Sequence, residues 1–116
     1  MKIKISVSIG EFIDKMSILQ IKEDNGLDVE KELIKYLTYD IVDQDGFKYY
    51  LNILKSINNQ LWNLEDRKRK QVDRYSKQES DVAFLITHLN DLRFRVKKSA
   101  DVFFNSNISE EKSHEW

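Results

Sequence analysis

Two stretches of sequence decide the fold of this chain: YLNILKSINNQLWNL at residues 50–64 and VAFLITHLNDLRFRVKKSADVF at residues 82–103. In the first stretch, apolar residues recur in steps of four and three, at Tyr50, Leu54, Ile57, Leu61 and Leu64. This spacing places them on one face of an α-helix. The second stretch repeats the pattern at Val82, Leu85, Leu89, Leu92, Val96 and Phe103, with Ser99 at the remaining position. Together they predict a long antiparallel, coiled-coil-like hairpin that turns near residues 76–80.

The residues before the hairpin predict a short extended segment and two further helices. Ile3, Ile5 and Val7 alternate with polar residues, which is typical of a half-buried strand at 1–7. A lone strand has no ladder partner in this chain, so it would pair with its copy in a second subunit or lie against the helices. Ser8-Ile-Gly-Glu11 matches a capping box and predicts that a helix begins at residue 9.

The chain is therefore predicted to be a single all-α domain, a helical bundle spanning residues 1–116. Asn25-Gly26 supplies a stop for the first helix, and Asp28 is a suitable cap for the second. The predicted helices cover residues 9–25, 29–42, 47–75 and 80–104, followed by a tail at 105–116.

Composition restricts the class of protein. Of the 116 residues, 41% are hydrophobic and 34% are charged, which suits a globular domain with extensive exposed helix surface. The formal net charge is -1, so no global charge attracts nucleic acid or an anionic membrane. There is no cysteine and no apolar run of the ~20 residues that span a bilayer. We expect a soluble protein with no membrane partner, located in the cytoplasm. Isoleucine, lysine and asparagine are frequent, alanine is scarce and proline is absent, a bias that AT-rich coding produces and that favours a bacterium or a phage-infected host as the source.

The predicted hairpin indicates a homodimer, because it is longer than a compact monomer of this size needs and leaves apolar residues without a partner. Beyond Leu64 the third helix has polar residues at its core positions, whereas Leu85, Ile86 and Leu89 at the facing level are apolar. Those three side chains need the first helix or a second subunit as a partner. A further protein partner is also compatible with this surface.

Polar residues gather at the midpoint of the predicted hairpin: Glu65 and Asp66 on one helix, and Asn90, Asp91 and Arg93 on the other. Antiparallel counting from a turn near residue 78 places position 65 beside position 91. Carboxylates from neighbouring helices bind Mg2+ or Mn2+ in bundle proteins and serve in proton transfer. They also form ion pairs that fix helix register. The sequence leaves both interpretations open.

Three residues of the first helix and one tryptophan belong to the same candidate site. Glu11 and Asp14 are three residues apart, so both face one side of the helix, next to Lys15. They would add oxygen ligands to the cluster, or Glu11 would cap the helix and Asp14 would form a salt bridge. Trp62 would seal the cluster or pack in the core. The metal-ligand candidates are Glu11, Asp14, Glu65, Asp66 and Asp91; His88 and His114 lack a second histidine at the spacing of a zinc site.

The densest basic run is Arg67-Lys-Arg-Lys70, with Arg74 following. It would bind nucleic acid through phosphate contacts. Acidic neighbours dilute the run, however, and the chain contains no recognisable nucleic-acid recognition motif. We therefore interpret it as a solvated helix face.

Four blocks of the chain resemble an uncharacterised family of small bacterial and phage proteins, classed as a domain of unknown function. They are SIGEFIDKMSILQIK at 8–22, LWNLED at 61–66, Asn90-Asp91 with Arg93, and EEKS at 110–113. The chain departs from the family pattern at Phe12 and His114. The resemblance implies an association with glycosyltransferase or surface-polysaccharide systems, and its polar positions coincide with the candidate residues above.

Taken together, the sequence favours a binding or assembly module and indicates no cofactor, except for Mg2+ under the alternative that follows. One alternative is a Mg2+-dependent, all-helical phosphohydrolase that acts on nucleotides. The other is nucleic-acid binding through residues 67–74. Whether the chain is an enzyme is left undecided by the sequence.

Overall fold

Four α-helices and one 3-10 turn follow one another along the chain. The computed structural model describes residues 1–70 and 77–108, with side chains described at 1–70 and 80–105. Its elements, numbered in chain order, are α1 (Ile9–Asp24), α2 (Glu30–Leu37), the 3-10 turn Asp40–Asp43, α3 (Phe47–Lys70) and α4 (Lys77–Ile108). These ranges contain no strand, so the predicted all-α class is confirmed. Within them, no helix is both long enough and apolar enough to span a bilayer.

The start of α1 is stabilised by the Ser8 hydroxyl and the Asp101 carboxylate, and Gly10 lets it lie close to α4. The Ser8 hydroxyl accepts a hydrogen bond from the Glu11 amide at 3.1 Å, as the capping box predicts. The Glu11 carboxylate, in contrast, contacts Lys97 at 2.5 Å and does not return to the Ser8 amide. The Gly10 amide donates to Asp101 Oδ1 of α4 at 2.6 Å. A β-carbon at position 10 would overlap the Lys97 carbonyl oxygen, so glycine permits α1 and α4 to approach closely.

The second predicted helix is shorter than expected. Instead of covering 29–42, the α-helix ends at Leu37, and the chain continues into the 3-10 turn. Its N-cap is Val29, which makes no capping bond, and not Asp28. At the other end, the Thr38 hydroxyl donates to the Lys35 carbonyl at 2.7 Å, a local bond that competes with helix continuation. Tyr39 then packs edge-on against Phe12, with ring centroids 5.4 Å apart.

The predicted core row of α3 is confirmed. Five side chains of that row are buried: Tyr50, Leu54, Ile57, Leu61 and Leu64. The Tyr50 hydroxyl lies 3.0 Å from the Ser99 hydroxyl near the end of α4, whereas Leu64 packs in one cluster with Val82 near its start. Contacts between α3 and α4 therefore follow opposite chain directions.

The predicted core row of α4 is wrong at several positions. Leu85 is 43% exposed and Leu92 is 40% exposed, whereas Ile86, Ala100 and Phe104 are buried. The buried row is thus displaced by one residue at three positions, where Ile86, Ala100 and Phe104 are buried in place of the predicted Leu85, Ser99 and Phe103. Ala100 packs in one cluster with residues of α1, and Asp14 of α1 holds Arg93. Ile86 packs instead against Ile57, Leu61 and Leu64 of α3.

Two further expectations about packing also need correction. Ile86 and Leu89 pack with Ile57, Leu61 and Leu64 of the same chain, so they do not need a second subunit. Ile3 and Ile5 are about four-fifths exposed, so the N-terminal segment is not half-buried against the helices. In addition, α4 extends beyond its predicted bounds, beginning at Lys77 and ending at Ile108. The predicted end of the third helix at residue 75 lies outside the described residues.

Candidate functional site

A buried polar cluster connects α1, α3 and α4. Asp14 and Ser17 of α1 are fully buried, and Asn58 of α3 is 5% exposed. From α4, Arg93 donates from Nε to Asp14 Oδ1 at 2.8 Å and from Nη2 to Asp14 Oδ2 at 2.6 Å. This is a bidentate, charge-assisted pair, the strongest type of side-chain hydrogen bonding in proteins.

The hydrogen-bond geometry of the cluster fixes the orientation of the Asn58 amide. The Ser17 hydroxyl has one proton and donates it to the Asp14 carbonyl oxygen at 2.6 Å. Ser17 Oγ must therefore accept from Asn58 Nδ2 at 2.8 Å, and the same nitrogen donates to Asp14 Oδ1 at 2.8 Å. Both Nδ2 protons are used. Asn58 Oδ1 is left without a hydrogen-bond partner among the described residues.

The electrostatic balance of the cluster keeps Asp14 ionised. Burial is the largest single influence and acts to raise the pKa of Asp14. The hydrogen bonds from Arg93 and Asn58, with the positive charges of Arg93 and Lys97, together outweigh it and hold the pKa below its ordinary value. Correspondingly, the hydrogen bond to Asp14 raises the pKa of Arg93. The pair is a fixed, charged contact at neutral pH.

A second, more exposed layer of charge surrounds this pair. Lys97 of α4 contacts the Glu11 carboxylate at 2.5 Å and lies 3.8 Å from Asp14 Oδ2. Lys15 lies 3.9 Å from Glu11, with half of its side chain exposed. Glu11 and Asp14 thus both face basic residues of α1 or α4.

Beside the cluster lies a cavity of about 330 Å³, which we call the interhelical cavity. Three helices contribute to it: α1, α3 and α4. Its lining residues are Ile18, Ile21, Asn58, Leu61, Trp62, Glu65, Arg69, Asn90 and Arg93. Asn58, whose side-chain oxygen has no partner among the described residues, is therefore one of the residues of the cavity wall.

The structure brings together some of the predicted site residues and separates others. Trp62, Glu65, Asn90 and Arg93 line the same cavity. Glu11, Asp14 and Lys15 lie around the buried cluster on α1. Asp66 instead pairs with Arg69 and Lys70 of its own helix, and the bond from Lys70 is the largest influence lowering the pKa of Asp66. Asp91 pairs with Arg95 at 3.1 Å on the exposed side of α4.

The five acids proposed as metal ligands do not meet at one point. Over the residues that can be described, no group of three or more His, Cys, Asp or Glu side chains is arranged to hold a metal ion. Both oxygens of Asp14 are already bonded to Arg93. His88 stacks on Phe84 with ring centroids 6.4 Å apart, and His114 lies outside the described residues.

The basic run is partly neutralised by Asp66. Of its members, Arg69 and Lys70 pair with that carboxylate, whereas Arg67 and Lys68 are exposed. Arg74 lies outside the described residues. The predicted solvated face is consistent with these contacts.

Three residues of the site were not singled out from the sequence: Ser17, Asn58 and Lys97. The available signal was polarity at core spacing, because Asn58 follows the buried Ile57 and lies four residues after Leu54. Ser17 lies three residues after Asp14, one helical turn along the same face.

Comparison with known proteins adds no family assignment. No protein-family model matches the chain, and neither the curated proteins nor the solved structures include a match. The resemblance described above stays a prediction, and function has to be argued from the site itself.

Proposed function

We propose that this chain is a binding module whose ligand site is the interhelical cavity. The observation that carries the proposal is the Asn58 amide oxygen, which belongs to a 95% buried side chain and has no partner within the described ranges. A buried acceptor without a donor is destabilising by about 1–3 kcal/mol. Such groups are uncommon in folded proteins and call for an explanation. A ligand that donates a hydrogen bond to Oδ1 supplies one.

The other lining residues support a site for a small molecule. Ligand pockets typically measure about 300–1,000 Å³ and combine apolar walls with a few placed polar groups. Here Ile18, Ile21 and Leu61 form apolar wall, and Trp62 adds an aromatic ring. Polar groups come from α3 and α4, so a ligand would contact residues from both helices.

The buried ion pair supports binding over metal-dependent hydrolysis. Asp14 has no free oxygen for a cation, since Arg93 occupies both. Asp66 and Asp91 are engaged with basic residues of their own helices. In our proposal the Asp14–Arg93 pair holds α1 against α4 and thereby keeps the cavity walls in place.

The proposal can be tested by filling the cavity. Saturation-transfer NMR would be recorded with three probes that share one ring: benzylammonium, benzoate and benzyl alcohol. We expect saturable binding of at least one probe, and loss of that signal in Ile18→Trp, whose larger side chain occupies the space. Thr87→Trp places the same ring on an exposed part of α4 and is the matched control. Equal loss of binding in both variants would overturn the proposal, as would absence of binding both by these three probes and by the aliphatic probes described below.

A second candidate function, assembly as a homodimer, is favoured by the outer surface of α4. Leu85 and Leu92 are substantially exposed, and Phe84 and Val102 are exposed by 71% and 66%. Leu85 and Leu92 are seven residues apart and form a second apolar row along the flank of the row that faces the core, whereas Phe84 and Val102 lie farther round the helix. A second copy of the chain would cover this row.

A further inference from the structure

We infer that the interhelical cavity binds a primary alkylammonium whose far end carries a second hydrogen-bond donor. The inference rests on the proposed binding function and names the chemistry of its ligand. It stands on one juxtaposition along a single helix face that lines the cavity: an amide oxygen and a carboxylate, neither with a partner among the described residues, and an aromatic ring between them.

The three groups are Asn58, Trp62 and Glu65 of α3. They occupy positions i, i+4 and i+7, so they share one face of the helix. The helix rises ~10 Å between the first and the last. Leu61 lies between them on the same face and is also part of the wall. The face thus offers an acceptor at each end and apolar surface in the middle.

Glu65 is a carboxylate of the cavity wall that has no ion pair among the described residues. Its side chain is partly buried, and the described part of the chain gives it no ion pair or hydrogen bond. Its neighbour Asp66, by comparison, contacts both Arg69 and Lys70. A carboxylate next to an aromatic ring is the combination that attracts an organic cation, through charge and through the ring face.

The two arginines of the wall do not cancel this attraction. Arg93 is neutralised by Asp14, which takes its Nε and Nη2 protons. Arg69 contacts Asp66 at 3.6 Å, and its side chain is 69% exposed, so it lies at the solvent side of the cavity. Asp66 is shared between Arg69 and Lys70, so it is mainly solvent that screens the charge of Arg69. Glu65 is the charged residue of the wall that has no ion pair among the described residues.

Asn58 determines the other end of the ligand. Its Nδ2 protons are fully used, so it presents only an acceptor oxygen and selects a ligand N–H or O–H. An aliphatic chain between the two donors would lie against Ile18, Ile21 and Leu61. Short diamines and amino alcohols have this pattern. A lysine side chain has it too, with a backbone amide as the second donor.

The test uses the fluorescence of Trp62. The chain has two tryptophans, so Trp116→Phe leaves Trp62 as the single reporter. Five probes of equal chain length would be titrated: 1,4-diaminobutane, 4-aminobutanol, butylammonium, 4-aminobutyrate and butanol. We expect the first two to bind most tightly, butylammonium to bind more weakly, and 4-aminobutyrate and butanol to bind weakest. Nα-acetyl-lysine methylamide would be titrated as a sixth probe that represents a lysine of a protein partner. Binding tighter than that of 1,4-diaminobutane would indicate a protein lysine as the natural ligand, and weaker binding would indicate a free amine.

One pair of variants makes the test specific. Glu65→Gln removes the unpaired carboxylate without breaking a contact, and should weaken 1,4-diaminobutane roughly ten- to a hundredfold. Asp66→Asn removes the adjacent charge, which does not line the cavity, and should change the affinity less than about threefold because the charge is solvated. Raising the salt concentration should weaken binding in the parent and have less effect in Glu65→Gln.

The outcomes separate this inference from the proposed function. If butanol or 4-aminobutyrate binds as tightly as the diamine, or if Glu65→Gln and Asp66→Asn behave alike, the ammonium inference fails. Binding of those other probes that Ile18→Trp abolishes would still leave the cavity as the ligand site. If no probe of either set binds, both proposals fail.

Discussion

Arg93 holds Asp14 with two hydrogen bonds, at 2.8 Å and 2.6 Å, across a sequence separation of 79 residues. The two partners are buried to different extents: the Asp14 side chain is 1% exposed, whereas that of Arg93 is 27% exposed. Only Arg93 therefore reaches water when its partner is removed. This asymmetry has a measurable consequence for stability.

We predict that Arg93→Leu destabilises the fold more than Asp14→Leu. Loss of the arginine leaves a buried carboxylate whose remaining partners are Asn58 and, at 3.8 Å, Lys97. Breaking a buried pair in this way costs about 3–5 kcal/mol of unfolding free energy. Loss of the aspartate leaves a guanidinium that can turn toward solvent, so a smaller change is expected. Urea denaturation of both variants, monitored by circular dichroism, would measure the difference.

The double variant Asp14→Leu/Arg93→Leu completes this thermodynamic cycle. It removes both charges and should be more stable than Arg93→Leu alone, because no charge is left buried without a partner. Strictly additive losses in the double variant would show that the two residues do not act as a pair.

The pH dependence of stability should follow from the same carboxylate. Its pKa in the folded protein lies below the value of ~3.9 typical of an unfolded chain. Ionised Asp14 therefore contributes stability that is fully present above that value and is lost as the pH falls toward and through the lower folded pKa. Urea midpoints between pH 6 and pH 2 should decline more steeply for the parent than for Asp14→Asn. Parallel curves would contradict this origin of the acid sensitivity.

We predict that Gly10→Ala destabilises the fold. A β-carbon there meets the Lys97 backbone oxygen, and the Gly10 amide would have to keep its bond to Asp101 while the helices move apart. Overpacking of this kind costs about 1–3 kcal/mol. The melting temperature should fall accordingly.

Gly26 provides the comparison for that change. It has a positive φ of 84°, and a β-carbon there meets nothing within 4 Å. Gly26→Ala should therefore lose only the backbone preference for the left-handed region, about 1 kcal/mol. If Gly10→Ala is the milder of the two, the close approach of α1 and α4 is not what requires glycine.

The sequence predicted α3 better than α4 for a physical reason. A helix that packs on one side shows its burial directly in its spacing, as the row from Tyr50 to Leu64 does. In α4, however, Leu85 and Leu92 continue one apolar row, and Ile86 and Ala100 belong to another. At Ala100 the position of α1 decides between them, and at Ile86 the packing against α3 does, so the choice depends on contacts between distant residues.

The candidate site shows the same limit. Antiparallel counting predicted that Glu65 lies beside position 91, next to Asn90, and Glu65 and Asn90 do line one cavity. It could not show that Asp66 would turn toward Lys70 of its own helix, because neighbouring residues of a helix point in different directions. Nor could it identify Asn58, whose importance depends on which of its atoms lacks a partner.

The exposed row of α4 gives the last prediction, which concerns the oligomeric state. If a second copy covers Leu85 and Leu92, light scattering at micromolar concentration should give the mass of a dimer. The double variant Leu85→Lys/Leu92→Lys should give a monomer, because like charges would face each other across the interface. Thr87→Lys adds a charge to another exposed part of the same helix and should leave the dimer intact. A monomeric mass for the parent chain would instead show that this apolar row is exposed to water, and the assembly proposal would fail. The cavity proposal does not depend on the oligomeric state and would be unaffected.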